Sequence, residues 1–366
     1  MTQEGEYLVK LMKSLSCLFV SLTLLWSLPG FSCSSFMVEK NNELAIGKSY
    51  DWYMGHGLLV VNKRNVAKMT LGIKPGDKPT TWVSKYGSVT FNQYGVEFPN
   101  GGMNEKGLTI EILWLDSSKY PDVDKRATIN EVQWIQYQLD NYESVSEVIT
   151  NAKKLRLSSV YANVHYLVCE KSSRCAVFEW IKGKLVISDN VRGITNDTYA
   201  DSAKFRKNFV GFGGNNPIPT SMGSKNRFVR ISHYSQNANK TTDSVEKIAW
   251  DSLQSVKTFN FLTGYASYWN IVYSPTKDKL GFLHFWGKKV YELDLNTLDY
   301  SCLTPRQTFD LELNYFDSSI SENFKEYDRK MNERMLQRSL GPIQSKLPPG
   351  AMQKLVEVPE AFKCME

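Results

Sequence analysis

From Cys33 to about Trp114 the sequence reads as consecutive strands: SSFMV, ELAIGKSYDW, GLLVVN, AKMTLGI, TTWVSKYGSVTFNQYGVEF and GLTIEILWL. β-branched and aromatic residues dominate these segments, and turn residues separate them. The period then changes. Thr128–Tyr142 (TINEVQWIQYQLDNY) predicts a helix, with Asn130 or Thr128 as its cap, and Ser144–Leu155 predicts a second. Strands resume at NVHYLVC, CAVFEWI, KLVIS and RGITN. Helices follow at about 199–208, 226–236 and 243–257, then strands at YWNIVYS, KLGFLHF and KVYELDL. The tail Ser319–Leu340 reads as a charged amphipathic helix. Strands and helices arriving in blocks, with no linker between them, predict a layered α+β domain over residues 33–366 rather than alternating βαβ units.

Residues 14–29, SLSCLFVSLTLLWSLP, carry no charge and follow Lys10 and Lys13. The run ends at Gly30-Phe31-Ser32, a small-x-small pattern directly before Cys33. A basic stretch, a short apolar core and small residues at a cleavage point describe a secretory signal peptide, here residues 1–32. The run is shorter than the ~20 residues of a spanning helix. The expected product is exported to the periplasm or medium and has no membrane partner. Cleavage before a cysteine has a rival meaning, a lipidated bacterial lipoprotein. Such processing favours Leu three residues before the cysteine, and here that residue is Gly30.

An N-terminal cysteine has a self-contained chemistry. A free thiol with an ordinary pKa of ~8.5 is a few per cent ionised at neutral pH and needs a base. The α-amine of the same residue, with a pKa of ~7.7–8.0, can take the thiol proton and return it to a leaving amine. No catalytic histidine is needed, which suits a chain with four scattered ones. P-loop, G-x-G-x-x-G, H-E-x-x-H and G-x-S-x-G motifs are absent, so nucleotide, zinc-protease and serine-hydrolase readings lose their main support.

Five short motifs follow Cys33 in one order: Cys33-Ser34-Ser35-Phe36, Gly47-Lys48-Ser49-Tyr50-Asp51-Trp52, Met103-Asn104-Glu105-Lys106-Gly107-Leu108, Ile194-Thr195-Asn196 and Asn226-Arg227-Phe228-Val229-Arg230. In this the chain resembles the choloylglycine hydrolase and penicillin V acylase family of N-terminal-nucleophile hydrolases, over roughly residues 33 to 310. The resemblance implies a four-layer αββα sandwich, hydrolysis of linear amides, and neither metal nor organic cofactor. It also implies a small-molecule amide substrate and a homo-oligomer, often a tetramer.

By the same resemblance Cys33 matches the nucleophile and Asp51 the acid that orients its amine and thiol. Asn196 matches the side-chain donor to the oxyanion. Arg227 matches an arginine of the charge network, pairing with the carboxylate or screening the thiolate. Asn104 and Glu105 read as a structural turn. Two positions depart from the family. Lys48 stands where arginine is usual, which keeps the charge and loses the planar fork. Trp114 stands where bile-salt hydrolases carry asparagine and some penicillin acylases tyrosine. Its backbone N–H can still serve the oxyanion, and its indole adds an aromatic wall that favours a flat or acyl-chain group over a bile salt. The acyl amide stays open among penicillin V-like amides, N-acyl amino acids, N-acyl homoserine lactones and bile salts. The rival class is a non-catalytic or lipidated relic of the fold.

The C-x5-C spacing of Cys169 and Cys175 across a hairpin suits a disulfide, and Cys302 with Cys364 is a second candidate pair. Zinc is disfavoured because no C-x2-C exists. The net charge of +6 is spread over short clusters such as Lys63-Arg64 and Lys153-Lys154, read as solvated turns, so nucleic acid is not indicated.

Overall fold

The computed structural model describes residues 32–366, apart from 72, 73, 75, 159–161, 313–322 and 348. The expected signal peptide, but for Ser32, lies outside the described residues. Ser32–Glu366 forms one compact unit.

Two large antiparallel sheets face each other. The first contains β1 (Ser34–Lys40), β2 (Glu43–Trp52), β10 (Gly193–Ile194), β11 (Phe259–Asn260), β12 (Tyr265–Ser274), β13 (Lys279–His284) and β14 (Tyr291–Asp294). Its order is β10-β1-β2-β12-β13-β14, with β11 pairing β12. The second contains β3 (Leu58–Asn62), β4 (Ser88–Asn92), β5 (Pro99–Asn104), β6 (Thr109–Trp114), β7 (Val164–Cys169), β8 (Cys175–Ile181), β9 (Lys184–Asp189), β15 (Gln307–Asp310) and β16 (Lys325–Glu326). It runs β9-β8-β7-β6-β5-β4-β3-β15-β16. The helices are α1 (Gln133–Asn141), α2 (Val145–Asn151), α3 (Tyr199–Arg206), α4 (Ser224–Asn237), α5 (Val245–Val256), α6 (Arg329–Leu340) and α7 (Ala351–Ala361).

Alternation along the strands builds the layers. Met37, Ile46 and Tyr50 point from the first sheet into a core shared with Leu59, Val89, Phe91, Leu113 and Leu167 of the second. Phe36, Val38 and Ala45, one residue out of phase, pack instead on Phe228, Ile231, Ile248 and Leu253 of α4 and α5. The outer face of the second sheet does the same. Ile110, Ile112, Tyr166 and Phe178 pack on Trp134, Ile135, Leu139 and Val148 of α1 and α2. The result is an αββα sandwich, and a single-residue register slip would exchange its two cores. Gly47 is part of this. A Cβ there would lie 2.4 Å from the Phe36 ring, so only glycine lets β1 and β2 pair with that ring between strand and helix.

Four expectations change. The helix expected from Thr128 starts at Gln133, because Ala127–Asn130 is a short strand paired in parallel with Leu155–Ser158. Asn130 still caps it from outside, its Oδ1 accepting from Val132 N at 3.1 Å and Gln133 N at 2.7 Å. The second helix stops at Asn151, since Leu155 belongs to that parallel pair. Its start is a capping box between Ser144 and Glu147. The tail helix begins at Arg329 behind Asp328, while residues 325–326 pair with β15 and residues 319–322 lie outside the description. Lys63 is buried, donating to Asp299 O at 2.7 Å and Thr304 Oγ1 at 2.9 Å, and is no solvated turn. Disulfides join Cys169 to Cys175 across the β7–β8 turn and Cys302 to Cys364 near the end of the chain.

Candidate active site

Cys33 lies directly before β1 and is the one cysteine of the described residues outside a disulfide. Its side chain is buried, with Sγ 3.6 Å from the Asp51 carbonyl oxygen. The register Ser34 opposite Ser49 brings the end of β2 alongside it. Ser49 and Asp51, two residues apart, share the face toward the helices, and Ser49 Oγ donates to Asp51 Oδ1. The other carboxylate oxygen, Oδ2, is buried without a well-formed hydrogen bond among the described residues, and the nearby Ser267 hydroxyl helps to hold the carboxyl pKa down. Burial raises the Asp51 pKa to about 6, against the opposing pull of the Arg227 charge.

Arg227 is buried in the first turn and a half of α4, a length of helix whose N-terminal end faces the β1–β10 edge. Its guanidinium is a hub. Nη1 donates to Cys33 O at 2.6 Å and Ser34 Oγ at 2.7 Å, Nη2 to Asn196 Oδ1 at 2.9 Å, and Nε to Met222 O at 3.1 Å. Among the described residues it forms no direct salt bridge with Asp51. Its fork is spent on the backbone of the candidate nucleophile and on the carboxamide, and it reaches the carboxylate through its field.

Asn196 follows β10 and is held on three sides. Its backbone N–H donates to Ser224 Oγ at 2.9 Å, its Oδ1 accepts from Arg227, and its Nδ2 donates to Trp114 O at 2.9 Å. One of the two amide hydrogens is thereby fixed by Trp114, and the other is oriented by the same geometry. The preceding carbonyl, of Thr195, lies 2.7 Å from His165 Nε2, and His165 Nδ1 lies 3.0 Å from Glu179 Oε1. His165 and Glu179 were not singled out by the sequence. A lone histidine and a lone acid on neighbouring apolar strands are the signal that could have found them.

Lys48 is on the opposite face of β2, toward the second sheet. Its ammonium donates to the Ile112 carbonyl and lies 3.5 Å from Glu111 Oε2, both partners being buried on β6. Glu111 also accepts from Tyr273 Oη at 2.6 Å, and a Cβ at Gly101 would meet its carboxylate at 2.4 Å. Burial raises the Glu111 pKa to about 7, opposed by Lys48. The Cys33 thiol is likewise pushed up by burial, with the Lys48 charge the largest influence pulling it down. Lysine in place of arginine thus retains an electrostatic hold on the sulfur, with Glu111 as the ammonium's buried partner.

The sign follows. As Glu111 ionises through about pH 7 its negative charge cancels part of the Lys48 field, which opposes thiolate formation. Glu111→Gln removes that cancellation and is expected to move the midpoint of Cys33 alkylation by iodoacetamide to lower pH. Lys48→Met is expected to move it up by about one unit or more. Coincident alkylation profiles for parent and Lys48→Met would refute the coupling.

Rings cluster beside the site. Trp52 lies 6.3 Å from Trp114 and 5.7 Å from Tyr53, and Tyr53 lies 5.1 Å from Tyr265. Tyr265 Oη accepts from Ser32 N at 2.6 Å. Asn104 is structural, its amide donating to Leu139 O and Tyr142 O at 2.8 Å, while Glu105 pairs with Arg64.

A sequence profile described as "Linear amide C-N hydrolases, choloylglycine hydrolase family" matches residues 33–267, well over half of the chain. The chain belongs to this family. Among curated proteins, a penicillin V acylase from Pectobacterium atrosepticum is 32% identical over 183 residues. That alignment covers 45% of this chain and 49% of the relative, so the chain spans about half the length of the curated relative it matches. Among solved structures, the penicillin V acylase from Agrobacterium tumefaciens superposes with a TM-score of 0.71 at 27% identity, over 81% of this chain and 98% of that one. A conjugated bile acid hydrolase from Clostridium perfringens shares the fold, with a TM-score of 0.63 at 17% identity over 79% and 98% of the two chains.

Proposed function

We propose that this chain is an exported acyl-amide hydrolase whose nucleophile is the Cys33 thiolate, set free as an N-terminal residue by removal of residues 1–32. The observation that carries the reading is a buried Asp51 oxygen without a well-formed hydrogen bond, beside a buried free cysteine. A carboxylate oxygen left that way costs several kcal/mol unless something completes it. The α-amine that cleavage before Cys33 would create supplies the missing donor.

The amine takes the thiol proton, and sulfur attacks the amide carbonyl. Negative charge collects on the former carbonyl oxygen, where the Asn196 amide hydrogen and a backbone N–H near Trp114 stabilise it. A preorganised donor of this kind lowers the barrier by ~2.7–4 kcal/mol. Collapse breaks the C–N bond, the amine passes its proton to the departing nitrogen, and a thioester remains. Water, deprotonated by the same amine, then releases the acid and restores the thiol. Arg227 acts by position, tying the Cys33 carbonyl to Asn196 so that nucleophile and oxyanion donor keep one geometry.

For the acyl half, the rings of Trp52, Tyr53, Trp114 and Tyr265 favour a flat aryl group, as in penicillin V-like amides, and two relatives bear the name penicillin V acylase. Two disulfides suit an exported chain. The test is a panel of aryloxyacyl amides, N-acyl amino acids, N-acyl homoserine lactones and conjugated bile salts, scored for amine release. The parent is expected to turn over the aryloxyacyl amides fastest, and Cys33→Ala to lose about 10⁴-fold or more. Full activity in Cys33→Ala would exclude the mechanism, and preference for bile salts would exclude the substrate class.

A further inference from the structure

We propose that His165 and Glu179 are positioning residues for the Asn196 oxyanion donor of the hydrolase reading above, holding the segment 195–199 at both ends through one shared proton. Both are buried, on β7 and β8, two residues along from Leu167 and Val177 and so facing the core between the sheets. His165 Nε2 lies 2.7 Å from Thr195 O, and His165 Nδ1 lies 3.0 Å from Glu179 Oε1. The same Oε1 accepts from Tyr199 N at 2.9 Å. One carboxylate oxygen therefore grips the segment directly at Tyr199 and, through the ring, at Thr195.

The hydrogens on the ring follow from its neighbours. A carbonyl oxygen only accepts, so Nε2 carries one hydrogen. A second lies between Nδ1 and Oε1, because two lone pairs facing each other in a buried site would leave both unsatisfied. Written as imidazolium with carboxylate or as imidazole with carboxylic acid, the pair aims the same N–H at Thr195 O and leaves Oε1 able to accept from Tyr199. A buried pair of this kind gains little stability over packed apolar side chains, so what it contributes is direction.

Between the two held ends sits Asn196. Its N–H donates to Ser224 Oγ, so the Thr195–Asn196 peptide plane is fixed through both its oxygen and its nitrogen. Its carboxamide is tied by Arg227 and by Trp114 O. Trp114 lies opposite Val164, the chain neighbour of His165. The β6–β7 pair of the second sheet thus holds the backbone and the side chain of this donor together. A donor to an oxyanion has its full effect only when it is already aimed, and an error of about 1 Å can cost about 10²-fold.

The test uses two variants of the exported chain. His165→Phe removes the donor outright. Glu179→Gln keeps the shape and withdraws the shared proton. With its oxygen toward the ring, the glutamine takes the single hydrogen of a neutral imidazole away from Thr195, and with its amide there it loses Tyr199. Both variants are expected to speed deuterium exchange of the 196–199 amides about tenfold, while the β1 amides keep the parent rate. On the amide that the parent cleaves fastest, both are expected to lower kcat by up to about 10²-fold with KM unchanged. In an Asn196→Ala background the same substitutions are expected to cost nothing further, whereas residues that only stabilised the fold would multiply the two losses. Thermal melting verifies folding, and Glu179→Gln carries the test if His165→Phe does not fold. Unchanged exchange in a folded variant, parent kcat or multiplied losses overturns the proposal. Exchange needs no turnover, so a parent that cleaves no amide, with exchange accelerated in the variants, would defeat the hydrolase reading and leave the hold on residues 195–199 standing.

Discussion

A chain that retains Ser32 ahead of Cys33 is expected to hydrolyse acyl amides about 10²–10⁴-fold more slowly than the chain that begins at Cys33, the usual contribution of a positioned base. With Ser32 attached, the Cys33 nitrogen is an amide whose lone pair is delocalised into a carbonyl, and it cannot accept the thiol proton. Burial meanwhile pushes the thiol pKa up, so little thiolate forms unaided. The Ser32 N–H also donates to Tyr265 Oη at 2.6 Å. Removing one residue would change three things together. It creates a base, gives Asp51 Oδ2 a donor and takes away the Ser32 contact with Tyr265. The measurement is amine release per mole of protein for forms beginning at Ser32 and at Cys33, each verified by intact mass. Equal rates would show that the α-amine is not the base.

The second large effect is on stability. Arg227→Met is expected to destabilise the fold by about 3–5 kcal/mol, the cost of breaking a buried charge network by removing one partner. The substitution leaves Cys33 O, Ser34 Oγ, Asn196 Oδ1 and Met222 O without their common donor inside the protein. It also removes the charge that holds the Asp51 pKa down, so that carboxyl rises from about 6 toward protonation at neutral pH. Arg227→Lys keeps the charge and loses the planar fork, and is expected to fall between parent and Met. Urea unfolding of the three proteins gives the order. A loss below about 1 kcal/mol in Arg227→Met would mean that the network is solvated and the arginine dispensable.

Much of the architecture was legible because its causes are local. Period-two runs of β-branched and aromatic residues mark strands wherever they fall, and their phase fixes which side chains face the other sheet and which face helices. Phe36 and Met37, adjacent in sequence, enter different cores for that reason alone. The same phase put Ser49 and Asp51 on one face, and the hairpin spacing of Cys169 and Cys175 anticipated their disulfide. Errors came where a long-range pair overrode a local signal. Thr128–Asn130 has a helical neighbour in sequence and a parallel strand partner in space, and the ladder won.

By itself, then, the sequence determined a layered α+β domain, the candidate nucleophile and the family motifs from spacing within a few residues, while the αββα order was implied by the resemblance those motifs carry. The tertiary structure alone decided what those residues do to one another. Arg227 reaches a residue 194 positions earlier, Lys48 meets Glu111 across the sheet interface, and His165 steadies the carbonyl before Asn196. Phe259 and Trp286 become one surface only when two hairpins fold side by side. Such contacts follow from the packing of whole layers, and no window of local sequence carries the distance between its residues and a distant partner.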